Sequence, residues 1–498
     1  MGLENEYRFF KRNHRQADNA HEDFFLKLKK SVTEFLPNGA RFYLDQEIPE
    51  YCTPECISVR EVLAHERAGD LIVSKTFKSL LAIFKRNLGR PKDARKAPLF
   101  YWPISGCHEN YMFVNGPLIK RLPKGVIFYD WLSDVLCPFL VSRQIFCGGG
   151  AIVQFDHGQD RVFLISQRAF FMKTRWGERT TEERSIVNTK GEPLGKGPFV
   201  RLHLIVGDSN MSDLSGFLKL GATSIVLRML EASFLDLRDI ILVDPLKAIR
   251  EIAMDPTCKV KVSTKTGREL SAIDIQQWYL DRANEFFQRN EASEEEKEVM
   301  KRWQETLDKL RQDPMLLKEE IDWVIKLNLI KRYCEKHQTD FNDKGVDAID
   351  LYYHSLDQEK SLFYKLLKVG RIKRLISDRE IFRALKTPPQ DTRAKIRGEF
   401  VEFILRKHPR LRESISVDWN EIIYSCYHNY LRGKTNQRDY SDIVGFTIFL
   451  NSPFLKEVER NNVIALMKDI DRSPQGFPED ERPFKKINDF SGLSGIGV

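Results

Sequence analysis

From Asn38 to Glu55 the chain reads NGARFYLDQEIPEYCTPE: a turn signal, a short alternating run, then a Pro-Glu-Tyr turn. The alternation predicts a strand over Arg41 to Asp45. Successive strand side chains point to opposite faces, so Arg41, Tyr43 and Asp45 share one side while Phe42 and Leu44 take the other. An apolar face suits a core. A guanidinium, a phenol and a carboxylate in line suit a site for a charged substrate, although a half-exposed sheet with solvated polar residues has the same pattern. The opening MGLENEYRFF is a second strand candidate and turns Glu4 and Glu6 one way; like charges so placed repel unless a cation or water relieves them. Arg201 to Val206 alternates again, with Arg201 and His203 on one face.

Apolar positions at helical spacing predict helices over Asn19 to Phe35, Val59 to Asn87, Leu214 to Leu230, Trp278 to Ile330, Ile349 to Leu367, Glu380 to Leu385 and Thr392 to Glu399. The Glu-rich run at Glu294 to Glu298 reads as part of a solvated helical hairpin, with a partner-binding acidic patch as the other reading. In SGCHENYMF, His108, Glu109 and Asn110 gather beside an apolar strand, and a His-Glu pair of this kind is usually structural. The loop Cys147 to Gly150 is glycine-rich but matches neither a P-loop nor a dinucleotide fingerprint. Pro388 and Pro389 break the helical pattern, and a domain boundary is expected near residue 400. Beyond it lie short elements, Ile415 to Tyr427 around Trp419 and Ile443 to Leu450, and a Gly/Ser-rich end, SGLSGIGV, expected to be flexible.

Composition narrows the function classes only slightly. Among 498 residues, 79 basic against 71 acidic side chains leave a formal charge of +8, too small an excess to imply nucleic-acid binding. Eight cysteines stand at irregular spacings without a C-x-x-C pair, and no apolar signal segment precedes them, so reduced thiols and a cytoplasmic protein are expected. Cys52 and Cys56 read as packing residues. No apolar run approaches the roughly 18 residues needed to span a bilayer, so no membrane partner is expected.

The candidate chemistry comes from the polar faces. Strands supply Glu4, Glu6, Arg41, Tyr43, Asp45, Arg201 and His203, and the Pro-Glu-Tyr turn supplies Glu50. Carboxylates and an imidazole can hold Mg²⁺, arginines can neutralise phosphate oxygens, and one remaining carboxylate can act as a base. This inventory fits phosphoryl transfer at a nucleotide site built on an antiparallel sheet. Glu6 and His203 enter as metal ligands from side-chain direction alone, as a second metal position needs such groups.

The stretches GLENEY, NGARFYLD, PEY with TPE, GCHENY, RLHLIVGDSNMS, LKLGATSIVLRMLE, DPLKAIREI and TPPQDTRAKIRGE resemble, in order, the motifs of the Pup ligase and Pup deamidase/depupylase family. The resemblance implies an α+β fold: a large domain over 1–400 with a curved antiparallel sheet packed by helices, similar to glutamine synthetase and glutamate-cysteine ligase, and a small C-terminal domain over 401–498. It implies ATP and Mg²⁺ as cofactors, Glu4, Tyr43 and Glu50 as magnesium ligands, Arg41, Thr53 and Trp419 as ATP contacts, and Asp45 as the catalytic base. Arg201 joins the nucleotide contacts. Expected partners are a small Pup-like modifier and lysine-bearing proteins. YLD, GCHENY, the pair Cys147 and Gly148, and the short interval before NGAR resemble the ligase branch. A depupylase or deamidase, or a nucleotide-binding homologue without turnover, remains as the alternative.

Overall fold

The computed structural model describes residues 1–11, 34–45, 48–77, 81–85, 106–114, 127–154, 160–190, 194, 199–235, 238–426 and 444–472. Its centre is a five-stranded sheet formed by β1 (Gly2–Glu6), β2 (Arg41–Asp45), β3 (Ile48–Cys52), β4 (Cys107–Val114) and β5 (Phe199–Leu204), in the order β5-β4-β1-β3-β2. Every neighbouring pair is antiparallel. β4 alternates strictly between buried and half-buried positions, as expected of a sheet with one packed face and one open one.

Helices cover the packed face. Helix α1 (Val59–Phe77) and α3 (Asp213–Glu231), with α2 (Phe128–Ser142), fill the main core through Val62, Leu63, Leu136, Phe139, Phe217 and Val226. Ser212 starts α3 by accepting the Ser215 N–H, an ordinary N-cap. Further out, α4 (Ala272–Phe287), α5 (Glu294–Gln312) and α6 (Asp322–His337) add Tyr279, Trp303 and Trp323. A second core joins α7 (Arg393–Lys407), a small sheet of β6 (Ile415–Val417), β7 (Glu421–Cys426) and β8 (Val444–Phe449), and α8 (Glu457–Arg472) around Phe400, Ile404, Ile422 and Leu466. A division at residue 400 falls inside α7, whose Ile396 already belongs to this second core. Together these elements make the α+β architecture that the sequence implies, and no helix among the described residues is long and apolar enough to cross a membrane.

Four local expectations are corrected. The Pro-Glu-Tyr segment is strand β3 rather than a turn: Pro49 sits near its start, where the missing N–H is tolerated, and its carbonyl accepts the Tyr7 N–H at 2.8 Å. The helical pattern from Val59 stops at Phe77, and Leu81–Phe84 pairs instead with Arg8–Lys11, because an unbroken apolar tetrapeptide with a free edge beside it gains more from a ladder. The pattern over 349–367 splits into Lys344–Tyr352 and Leu362–Lys368, where Ser361 caps the second helix. The Glu-rich start of α5 is solvated only in part, at Glu294 and Lys297. Glu295 accepts the Val59 and Arg60 N–H groups at the start of α1, Glu296 binds Arg228, and Glu298 binds Arg60. Of the helix expected over 19–35, residues 19–33 lie outside the described residues, and Phe35 forms a β-bridge with Arg41.

Candidate active site

Residues directly opposite one another in a ladder point to the same side, so the register decides which side chains meet. Arg41 faces Cys52, Cys52 faces Glu4 and Glu4 faces His108; Tyr43 faces Glu50 and Glu50 faces Glu6; Gly2 faces Asn110 and Asn110 faces His203. With Asp45 and Arg201 two residues further along their strands, these groups all stand on the open face. Phe42, Tyr51, Leu3, Tyr111 and Leu202 stand on the other and are buried.

At the β5 side the open face is tightly bonded. Glu4 accepts from Asn110 Nδ2 at 2.8 Å and Arg201 Nη2 at 3.0 Å on one oxygen, and lies 3.3 Å from His108 Nδ1 with the other. Asn110 Oδ1 accepts from Arg201 Nε at 2.8 Å and from His203 Nδ1 at 2.9 Å. That leaves His203 Nε2 buried and without a hydrogen-bond partner among the described residues. Burial opposes ionisation of Glu4, but the His108 hydrogen bond and the Arg201 guanidinium draw the carboxyl well below the usual range. Burial keeps His203 itself neutral.

Toward β2 the balance reverses. Glu6, Asp45 and Glu50 bring ligand oxygens within 4.8 Å of one another, and among the described residues none of the three has a lysine or arginine partner. Glu6 accepts the Gly106 N–H at 2.6 Å, and Glu50 accepts the Cys52 thiol at 3.3 Å. Burial, then the charges of Glu4 and Glu6, push Glu50 up to about 8. Burial, with Cys52 and Glu50 alongside, also raises the Tyr43 phenol, which keeps its proton. A Cβ at Gly106 would come within 2.1 Å of the His108 ring, so a larger residue there would displace that imidazole. Three carboxylates in deficit of positive charge, with an orphaned imidazole nitrogen nearby, fit a site for oxygen-seeking divalent cations.

A cleft opens at the other end of β1, lined by Gly2, Glu4, Thr53, Arg201, Arg393 and Trp419 among others. Thr53 is pinned there by reciprocal bonds with Leu3: its N–H donates to the Leu3 carbonyl at 2.8 Å and its Oγ1 accepts the Leu3 N–H at 2.9 Å. Trp419 comes from the small C-terminal sheet and is positioned by Arg397. That guanidinium lies 4.9 Å from both the Phe35 and Trp419 rings, donates to the Trp419 carbonyl at 2.9 Å, and pairs with Glu55. Arg393 binds Glu55 as well, at 2.8 Å. Burial opposes the Glu55 charge, but Arg397 and Arg393 draw its carboxyl down to about 2.

Glu4, Thr53, Arg201 and Trp419 thus line the cleft, while Glu6, Glu50 and Asp45 form the acid cluster with Tyr43 beside Glu50. His203 joins Glu4 and His108 in a further group with metal-ligand spacing. Arg41 is held at the edge by Glu34 at 2.8 Å and stacks 4.5 Å from the Tyr43 ring. Reading the sequence missed His108 and Asn110, whose spacing of two on a strand was the available signal, because Glu109 between them belongs to the opposite face and binds Arg143 at 2.6 Å. It also missed Glu55, Arg393 and Arg397. Their only local trace is the four-residue spacing of the two arginines on one helix.

A sequence profile of the Pup-ligase protein family matches residues 3–423. Over 400 residues the chain is 41% identical to the Pup–protein ligase of Kineococcus radiotolerans, spanning 78% of this chain and 84% of that protein. Its structure is similar to that of the ligase PafA solved in complex with the prokaryotic ubiquitin-like protein Pup, with a TM-score of 0.76 at 27% identity, covering 100% of this chain and 98% of the other. It is also similar to PafA solved in complex with ADP, with a TM-score of 0.70 at 29% identity over 91% of this chain and 93% of the other.

Proposed function

The chain belongs to the Pup-ligase family, and from that premise we propose that it uses ATP to activate the side-chain carboxylate of a C-terminal glutamate on a Pup-like protein and joins it to lysines of other proteins. One observation carries this reading: the open sheet face gathers Glu6, Asp45 and Glu50 without a lysine or arginine partner among the described residues, beside a cleft that ends on Trp419. The nucleotide is assigned to that cleft, with Trp419 against the base, Thr53 at the floor, and Arg201 and Arg41 toward the phosphates. Glu4, Tyr43 and Glu50 are the proposed Mg²⁺ ligands, extended by Glu6 and His203. Bound there, Mg²⁺ would neutralise phosphate oxygens and orient them for in-line transfer. The C-terminal unit at 401–498 is assigned the role of closing on the nucleotide. We place the reaction in the cytoplasm.

A carboxylate is a poor acyl donor, so the glutamate oxygen first attacks the γ-phosphorus of ATP and ADP leaves. Asp45 then takes a proton from the lysine ammonium; the free amine attacks the acyl carbon, and phosphate departs with the C–O electron pair and takes up the second amine proton as the isopeptide bond forms. Arg41 stacks on Tyr43 on the strand that carries Asp45. The test is to incubate the protein with ATP, Mg²⁺, a Pup-like protein ending in Glu and a lysine-rich acceptor. ADP release in step with conjugate formation is expected. Breakdown of preformed conjugates without net ATP use would overturn the ligase reading in favour of a hydrolase.

A further inference from the structure

Six arginines are buried among the described residues: Arg67, Arg143, Arg168, Arg201, Arg393 and Arg397. Five reach a carboxylate. Arg67 binds Asp213 at 3.0 Å, Arg143 binds Glu109 at 2.6 Å, Arg201 binds Glu4 at 3.0 Å, and Arg393 and Arg397 share Glu55. Arg168 is the exception. Its Nε and Nη2 both donate to one neutral acceptor, the Ile205 carbonyl, at 2.9 and 2.6 Å, and no carboxylate among the described residues comes within ion-pair distance of it. Nη1 has no protein acceptor among the described residues. Withdrawing a guanidinium from water without an opposing charge is costly, which is why the other five are paired.

The fold places Arg168 at one particular end of the sheet. Ile205 directly follows β5, and since Leu204 faces Glu109, it comes level with His108 at the start of β4. Just before that start, Gly106 donates to Glu6. Arg168 therefore stands at the Glu6 end of the open face, away from the Gly2 and Thr53 end where the cleft meets Trp419. Its backbone is fixed there as well, because its own N–H donates to Asp208 Oδ1 at 3.3 Å and the other oxygen of Asp208 accepts the Gly149 N–H at 2.8 Å.

We propose that Arg168 binds the main-chain carboxylate of the modifier's C-terminal glutamate. The inference rests on the ligase reading above and deepens it. A C-terminal glutamate brings two carboxylates, of which the side-chain one goes to phosphoryl transfer; the other arrives as an unpaired anion beside Glu6, Asp45 and Glu50 and needs a cation. Arg201 and Arg41 belong to the nucleotide end, whereas Arg168 is preset at the acceptor end with donors to spare. A fixed planar guanidinium suits a carboxylate particularly well. Holding the main-chain carboxylate there keeps it out of the reacting position and directs the linkage through the side chain.

The test compares two modifiers that end in Glu, one with a free terminal carboxylate and one made as the terminal primary amide, in conjugation assays with wild type, Arg168→Lys and Arg168→Gln. Melting temperature and ATP affinity are measured in parallel. Wild type should prefer the acid by roughly 10²-fold in kcat/KM, the size of effect typical for removing one partner of a buried charge pair. Arg168→Gln should lose most activity on the acid and discriminate between the two modifiers by only a few-fold, with ATP affinity retained; Arg168→Lys should fall between. Equal use of acid and amide by wild type overturns the proposal without relying on any variant. So does undiminished discrimination by Arg168→Gln, and so does a loss confined to ATP affinity, which would assign Arg168 to a phosphate. Absence of any conjugation by wild type would instead overturn the ligase reading.

Discussion

Two acid-rich layers lie back to back across β1, and they differ in where their positive charge comes from. Beneath the strand, Asn5 donates to Glu66, which also binds Lys85 at 2.8 Å; Asp70 binds the same lysine at 3.1 Å and accepts the Tyr7 hydroxyl at 2.9 Å; Arg67 joins Asp70 to Asp213. On the open face, Glu6, Asp45 and Glu50 have no such cation among the described residues. The consequence shows in two buried glutamates. Burial raises both, but Lys85 and Arg67 draw Glu66 down to about 2, whereas Glu4 and Glu6 help push Glu50 up to about 8. Acids neutralised from within the chain are scaffold, whereas acids left in deficit are the ones we propose to meet a cation and a substrate from outside.

The sharpest way to break this contrast is Asp45→Asn, which keeps shape and removes the base. The conjugation rate should fall by roughly 10²–10⁴, the usual range for a general base, with ATP affinity and melting temperature retained. A rate within a few-fold of wild type would return Asp45 to the solvated strand edge. On the scaffold side, Lys85→Met leaves Glu66 and Asp70 buried without their lysine, and denaturant unfolding should report a loss of about 3–5 kcal/mol whether or not Mg²⁺ is present. An unchanged midpoint would mean that the lower layer is not held by its charges.

A third measurement concerns Glu55, which is neutralised like the scaffold but positions Trp419. Its folded value of about 2 lies below the ordinary 4.5, so its stabilising contribution is full above pH 4.5 and is lost as pH falls from there toward 2. The loss should be on the order of 3 kcal/mol for wild type and much smaller for Glu55→Gln, read from melting temperature across that window. Parallel curves for the two proteins would remove Glu55 from the acid transition. The smallest stability change is expected for Glu50→Gln, within about 1 kcal/mol, because no ion-pair partner among the described residues is lost and the amide oxygen can still accept the Cys52 thiol. Its signature is instead a shift of the Mg²⁺ titration to higher concentration, and an unaltered titration at full rate would rule out Glu50 as a ligand. The same exchange at Glu66 should do the opposite, lowering stability and leaving the titration in place.

Much of the site could be read from alternation alone. Arg41, Tyr43 and Asp45, Glu4 and Glu6, and Arg201 and His203 share a face in the folded protein as their spacing predicts, because the period of a strand is set by backbone sterics within a few residues. Legibility failed where a neighbour overrode the local signal. Pro49 looks like a turn, yet ladders on both sides hold β3 extended. Leu81 to Phe84 continues a helical pattern, yet a partner strand claims it. His108 and Asn110 were obscured by Glu109, which the register sends to the opposite face and to Arg143.

Motif order and a two-residue period are local properties, and they suffice to recognise the family, the α+β architecture and the polar side chains that share a strand face. Which of the acids is neutralised depends on contacts between distant parts of the chain. Lys85 reaches Glu66 and Asp70, Arg143 reaches Glu109, Arg393 and Arg397 reach Glu55, and no carboxylate among the described residues pairs with the Arg168 side chain. Coulomb attraction depends on separation in space and on burial, not on separation along the chain, so the charge balance that distinguishes a scaffold acid from a catalytic one exists only once distant residues have been folded together.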